Sequence, residues 1–449
     1  MKVQSNKDPC SSNLHPNPNP NSNPSPVPVA EFHLHLYLPS TLFSNRICVN
    51  VPHTLMRTST FVAFSACFAV FLAACQLIEK EPVKIGYIGP LTGDASAYGT
   101  DTFNAVKMKV EEVNAAGGIG GRQVQLIAED SRCTGGDAAN AARKLVDIDK
   151  VVAIIGGQCS SETLGAAPIA EAAGIVQVSP VSSSPDVADA GDFIFRTYPS
   201  DALKGIDIAE YFGEKGYTKV AIMTENTDYC VGIRDSIKAA LPEGAEVVFD
   251  ELTEPGVKDF RSLITRLEDM EFDVFVPNAQ SDAVLGAMAQ QMREQGFEQP
   301  MVSQDIADSN NLPSIAGEAV EGMRMFNVSS LLGEEARTEG ARPFAEKFRE
   351  LHGDPQQNMG FAVLAYDAAG VVLEAIAAVG TEGTAIRDYL YGLQAYEGAA
   401  GTFRFDAKGE VVGIGNVQKR FENGKIVEGA VAEETVGTTG TGADTEVTE

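Results

Sequence analysis

Tryptophan is absent from the 449 residues, and histidine nearly so: five in all, of which only His352 lies beyond residue 75. The first absence excludes a cation cage built on indole rings. The second leaves little room for acid–base catalysis by imidazole. Positive charge is scarce as well. Lys and Arg number 34 against 62 Asp and Glu, giving a formal net charge of −28 at pH 7. Nucleic-acid backbones are held by basic patches, so this balance argues against a nucleic acid as partner. It does not exclude a small anion, which backbone amides can hold. The chain has no G-x-S-x-G elbow, no P-loop and no H-E-x-x-H. No Cys or His pair has zinc-like spacing. Neither a metal nor a cofactor is expected, and no enzyme is expected, although an enzyme is the main rival class.

What is present suits a folded protein of two domains: 449 residues, 44% hydrophobic and 21% charged. Residues 1–55 read poorly as fold, because the stretch HPNPNPNSNPSPVPV at 15–29 cannot bury a core. At Met56 a different pattern starts, MRTSTFVAFSACFAVFLAAC: one Arg, then an apolar core shorter than the ~20 residues of a membrane span. This is a secretory signal, residues 56–74. Leu72-Ala73-Ala74-Cys75 resembles the lipobox of bacterial lipoproteins, which implies a lipidated Cys75. Met56 is then the expected start and residues 1–55 a disordered or mis-called extension; the alternative is a signal cleaved nearby without lipidation. No membrane span is expected after Cys75. Residues 433–449, rich in Thr, Gly and acids, read as a disordered tail.

The stretch 151–185 organises the rest. A β-branched run, 151–155, is broken by Gly156-Gly157; residues 160–173 have helical spacing; Gly174 stops that helix; 175–179 is a second apolar run. Strand, helix, strand is the unit of a parallel sheet. Two hydroxyl-rich loops, 158–162 and 180–185, leave the carboxyl ends of those strands, where open α/β sheets bind ligands. Ser160 opens a helix, whose N-terminal amides attract an anion. Either loop alone is read equally well as helix capping; two on adjacent strands favour a site. The alternation of strand and helix begins at residue 83, continues past 198 and restarts at 202, so the chain reads as α/β with two doubly wound lobes. Stretches 259–270, 334–351 and 361–379 read as helices, and 401–405 with 414–421 as a terminal strand pair.

These residues resemble the leucine/isoleucine/valine-binding proteins, the type I solute-binding proteins of ABC importers. The resemblance rests on VKIGYIGPLTGDASAYG at 83–99, EEVNAAGGIGGRQVQLIAED at 111–130, GGQCSSE at 156–162, VSPVSSSP at 178–185, KDFRSLITRL at 258–267 and SIAGEAVEG at 314–322. It implies two lobes joined by a three-crossover hinge, expected near 198–201, 328–330 and 400. The first lobe would then be 82–199 plus 329–400, and the second 200–328 plus 401–430. Cys133 and Cys159 both follow strands of one sheet, so a bridge between them is available, and the resemblance implies the same pair. Cys230 is read as a buried inert thiol, or as a nucleophile with no His near it.

The implied ligand is a zwitterionic neutral or branched-chain L-amino acid. Its carboxylate would take the hydroxyls of Ser160 and Ser183 and backbone N–H groups. Its ammonium would take Asp305, where the family carries a longer Glu, with help from the Val181 carbonyl. Tyr98 and Tyr229 match positions that close over the ligand, with ordinary loop packing as the alternative. Gln280 stands where the family tends to carry an aromatic, a departure that admits a polar side chain. The implied partners are the permease subunits of an ABC transporter and the membrane, through the lipid anchor; the protein is expected to be a periplasmic or cell-surface monomer that closes on its ligand. A sensor's soluble partner, or a binder of amides, urea or aromatic acids, are the competing readings.

Overall fold

The β-branched runs pair as their pattern demands. In the computed structural model, which describes residues 80–329 and 344–429, Val83–Gly89 (β1) is buried along almost its whole length, as a strand covered on both faces must be. It pairs in parallel with Val124–Asp130 (β2) on one side and Ala153–Ile155 (β3) on the other. Val176–Ser179 (β4) and Ile194–Arg196 (β5) complete a sheet of order β2-β1-β3-β4-β5. The order reverses between β1 and β3, so the carboxyl ends of β1 and β3 flank a crevice.

Helices Ser96–Ala115 (α1), Gly135–Arg143 (α2) and Ser160–Ala173 (α3) make the crossovers. A Cβ on Gly165 would stand 2.3 Å from the Gly135 carbonyl oxygen, so α2 and α3 meet backbone to backbone only because both positions lack a side chain.

The plan repeats. Asp201–Lys215 (α4), Lys219–Glu225 (β6), Asp228–Ala240 (α5), Glu246–Thr253 (β7), Val274–Asn278 (β8) and Asp282–Glu294 (α6) follow in order, and β7-β6-β8 form a parallel sheet. An isolated parallel bridge, Phe275 to Met301, joins it to a second group ordered β15-β14-β10-β9: Val302–Ser303 (β9), Arg324–Val328 (β10), Asn416–Glu422 (β14) and Lys425–Glu428 (β15). The long helix expected at 259–270 is a single turn, Arg261–Ile264, followed by a 3-10 turn; Phe260, Ile264 and Leu267, with Leu263 partly buried beside them, give it an apolar face.

Phe344–His352 (α7), Met359–Val379 (α8) and Gly383–Gly392 (α9) return to the first sheet. Residues 334–343 of the expected helix lie outside the described residues, and α9 had no counterpart in the sequence reading. Helix α8 is long and apolar enough to cross a membrane by length and composition, but most of it is buried here, sharing a core with α1 and the first sheet.

The expected strand pair 401–405 with 414–421 does not form. Thr402–Phe405 (β12) pairs instead with Tyr396–Glu397 (β11) and Val411–Val412 (β13), and β14 pairs with β10 and β15. The reason is aromatic packing: Phe405 meets Phe195 edge-on at 5.2 Å, and the Arg196 N–H donates to the Gly409 carbonyl. Residues 401–412 therefore sit on the first lobe, and the third passage between the lobes falls at 413–415 rather than near 400. The signal segment, Cys75, and residues 433–449 lie outside the described residues.

Candidate functional site

The serine loops sit where strand ends leave them. β3 ends at Ile155 and α3 starts at Ser160; β4 ends at Ser179 and residues 180–184 follow. Glu162, fully buried, reaches back to accept the N–H groups of Gln158 (2.8 Å), Cys159 (3.0 Å) and Cys133 (2.8 Å) and the Ser131 hydroxyl. Burial pushes its carboxyl up to about 6, although these hydrogen bonds oppose the rise. A disulfide joins Cys133 to Cys159, their Cα atoms 5.4 Å apart. The N–H groups of Ser160 and Ser161 find no acceptor among the described residues, leaving the positive end of α3 available to an anion.

The second loop is pinned from behind by Arg196. Its guanidinium, without solvent exposure, donates to the carbonyls of Ser182 (3.2 Å) and Ser184 (2.8 Å) and pairs with Glu410. The Ser182 hydroxyl turns inward to Thr163 and Gly157. The Ser184 N–H donates to the Ser160 hydroxyl oxygen at 3.1 Å, locking the two loops together. The Ser183 hydroxyl donates to Asp201 at 2.9 Å. This corrects one expected role: with its proton given to Asp201, Ser183 offers the cleft acceptor lone pairs, and the donors left for a carboxylate are the Ser160 hydroxyl and backbone amides.

The facing wall is ionic. Lys204, buried on α4, bridges Asp201 (2.8 Å) and Asp305 (2.5 Å), and the Tyr229 hydroxyl donates to the same Oδ1 of Asp305 at 2.6 Å. Burial alone would depress the Lys204 ammonium, but the two carboxylates outweigh it and hold its pKa above the usual value. Burial raises the Asp201 carboxyl, against the pull of Lys204. Burial, reinforced by Asp305, lifts the Tyr229 phenol well above its ordinary range. With both carboxylates and the ammonium charged, the cluster carries one net negative charge. Both of these bonds fall on Oδ1 of Asp305.

Ser160, Val181 and Ser183 from one lobe and Tyr229, Gln280 and Asp305 from the other line a single narrow gap. All the expected residues meet there except Tyr98, which lies in the first turn of α1 and whose side chain is outside the described residues. Gln158, Cys159, Ile306 and Phe361 also line it and were not foreseen. Nor were Lys204 and Arg196, whose partners stand 101 and 214 positions away in the chain. A wider opening of about 570 Å³ near Arg349 and Lys425 contains none of the expected residues, and its buried acid, Asp308, is already held by Asn327, Asn358 and Lys419. Among the described residues no group of His, Cys, Asp or Glu could hold a metal ion.

A family model described as periplasmic binding protein matches residues 82–417. The chain belongs to the periplasmic binding protein family. Its members are solute-binding proteins of the extracytoplasmic space, not enzymes. An amino acid binding protein of Pseudomonas aeruginosa is 31% identical over 63% of this chain and 75% of its own length. The Leu/Ile/Val-binding protein of Escherichia coli K12 is 30% identical over 57% and 70%. Among solved structures of the family, the branched-chain amino acid transporter substrate-binding protein of Streptococcus pneumoniae, in complex with isoleucine, covers 78% of this chain and 100% of its own, at 27% identity and a TM-score of 0.69.

Proposed function

We propose that the cavity captures a neutral or branched-chain L-amino acid, which the protein delivers to the membrane subunits of an ABC importer. The observation that carries this reading is the division of labour across one gap: hydroxyl and free amides at the N-terminus of α3 on one lobe, an acidic cluster with one surplus negative charge on the other. A zwitterion is the small solute that satisfies both, and charge-assisted bonds of this kind are the strong ones. The Ser160 amides and hydroxyl take the carboxylate; Asp305 and the Val181 carbonyl take the ammonium. Each lobe holds only half of the partners, so the ligand favours the closed arrangement by its differential affinity for it. The closed form is what a permease distinguishes from the empty one.

Within this reading, Cys75 carries the lipid that holds a monomer at the membrane surface. Residues 413–415, with 197–200 and the passage after β10, act as the hinge. A thermal-shift screen of the purified protein against amino acids, amides and aromatic acids tests the ligand: stabilisation by neutral L-amino acids, lost in Asp305→Ala, is the expected result, and stabilisation by amine-free acids alone refutes the zwitterion. Radiolabelled palmitate incorporated by the wild type and not by Cys75→Ala tests the anchor.

A further inference from the structure

A carboxylate and an ammonium account for the two ends of a ligand and leave its side chain undescribed. Two primary amides face the space where that side chain must lie. Gln158, only 1% exposed, lines the cavity from the first lobe with both the oxygen and the nitrogen of its amide unpartnered. The neighbouring Tyr87 hydroxyl is bonded to the Gly99 carbonyl at 2.9 Å and to Thr102 at 3.0 Å. Gln280 lines the same cavity from the second lobe, and its Oε1 is buried without a partner.

The backbone of each is tied down while its amide is left free. The Gln158 N–H is held by Glu162 and the Gln280 N–H by Glu225, each at 2.8 Å or less. Buried amide groups that find no partner destabilise a fold, and most such groups are hydrogen-bonded. Two on opposite walls of one gap are the arrangement of a subsite awaiting a polar guest.

The geometry points to a ligand whose side chain bears a neutral hydrogen-bonding group, a carboxamide or a hydroxyl, read by Gln158 and Gln280 together. Gln158 offers a donor and an acceptor and Gln280 an acceptor, which suits a group that is itself both. A charged side chain would find no full opposite charge in this pair. A purely aliphatic one would seal both amides off from water unpaired, which penalises it relative to a polar one of equal size.

This inference rests on the amino-acid reading above, and the experiment separates the two. Titration calorimetry of the full chain in mild detergent compares L-glutamine, L-asparagine and L-threonine with L-leucine and L-isoleucine, and includes free primary amides lacking an α-amino acid unit. The expected result is at least roughly tenfold tighter binding of one polar amino acid than of either aliphatic one, with the ratio falling in Gln158→Leu and in Gln280→Leu. Equal or tighter binding of the aliphatic ligands by the wild type overturns the polar subsite and leaves the amino-acid reading standing. Binding of free amides with no amino acid bound, weakened in Gln158→Leu, overturns the amino-acid reading and upholds the subsite. Absence of binding by every probe overturns both. The wild-type ratio is decisive even if Gln158→Leu fails to fold.

Discussion

The two walls of the cleft are built on different physical terms. The first-lobe wall is neutral: hydroxyls and amides held by backbone groups, a disulfide, and a buried guanidinium and carboxylate that stand behind the loops. The second-lobe wall is a buried ion cluster in which Asp201, Lys204 and Asp305 hold one another. A wall of fixed dipoles binds without reorganising; a wall of paired charges must share a carboxylate between its own lysine and a guest. The difference teaches that the acid expected to wait for an ammonium is already partly satisfied.

The sharpest way to break the contrast is to unbalance the ion cluster. Lys204→Met leaves two carboxylates buried without their counter-ion, and we expect a loss of about 3–5 kcal/mol in urea denaturation. Asp305→Ala should cost a similar amount and weaken amino-acid binding by about 100-fold or more in calorimetry, since it removes the acidic partner and frees Lys204 to oppose an ammonium. If binding survives Asp305→Ala, the two walls are not complementary in charge. On the neutral side, Cys133→Ser with Cys159→Ser should lower stability by about 3 kcal/mol, because the bridge closes a loop of 26 positions. Binding should weaken less than in Asp305→Ala, as Glu162 and Arg196 still hold the loops.

Stability against pH gives a smaller effect. Burial pushes the Asp367 carboxyl up to about 7, and Asp101 and Glu162 up to about 6. Between about pH 4.5 and 7 the folded state therefore keeps protons that the unfolded chain has lost, so stability falls as pH rises through that window. Burial lowers His352, which opposes the trend from a single, largely exposed group. Urea midpoints that rise with pH over this range would contradict the burial of those acids. The smallest effect is that of Ser160→Ala, about 1 kcal/mol in stability through loss of the acceptor for Ser184 N–H, with about tenfold weaker binding.

Much of this was legible in the sequence because it is local. Glycine-bounded apolar runs mark β1, β3 and β4, and serines at the strand ends mark the loops. What escaped depends on partners far away in the chain or on elements too short to show a period. Lys204 reads as an ordinary helical lysine until Asp305 is brought against it. Arg196 reads as the end of a strand until Glu410 arrives. β11 and β13 are two residues each, below any alternation, so β12 and β14 were matched with each other for want of better partners. Gln158 sits between a glycine pair and a cysteine, and only the unpaired state of its amide distinguishes it.

Helix α8 bears on the order in which the chain can be completed. The first sheet is fully synthesised by Arg196, but α8, α9 and the β11–β13 sheet, which finish its core, come only after the second-lobe elements from α4 to β10. A nascent chain therefore carries a half-covered sheet through about half of its synthesis. Among the described residues, α8 is also the helix long and apolar enough, by length and composition, to cross a membrane. The core of the first lobe is therefore complete only once residues beyond 400 have been made.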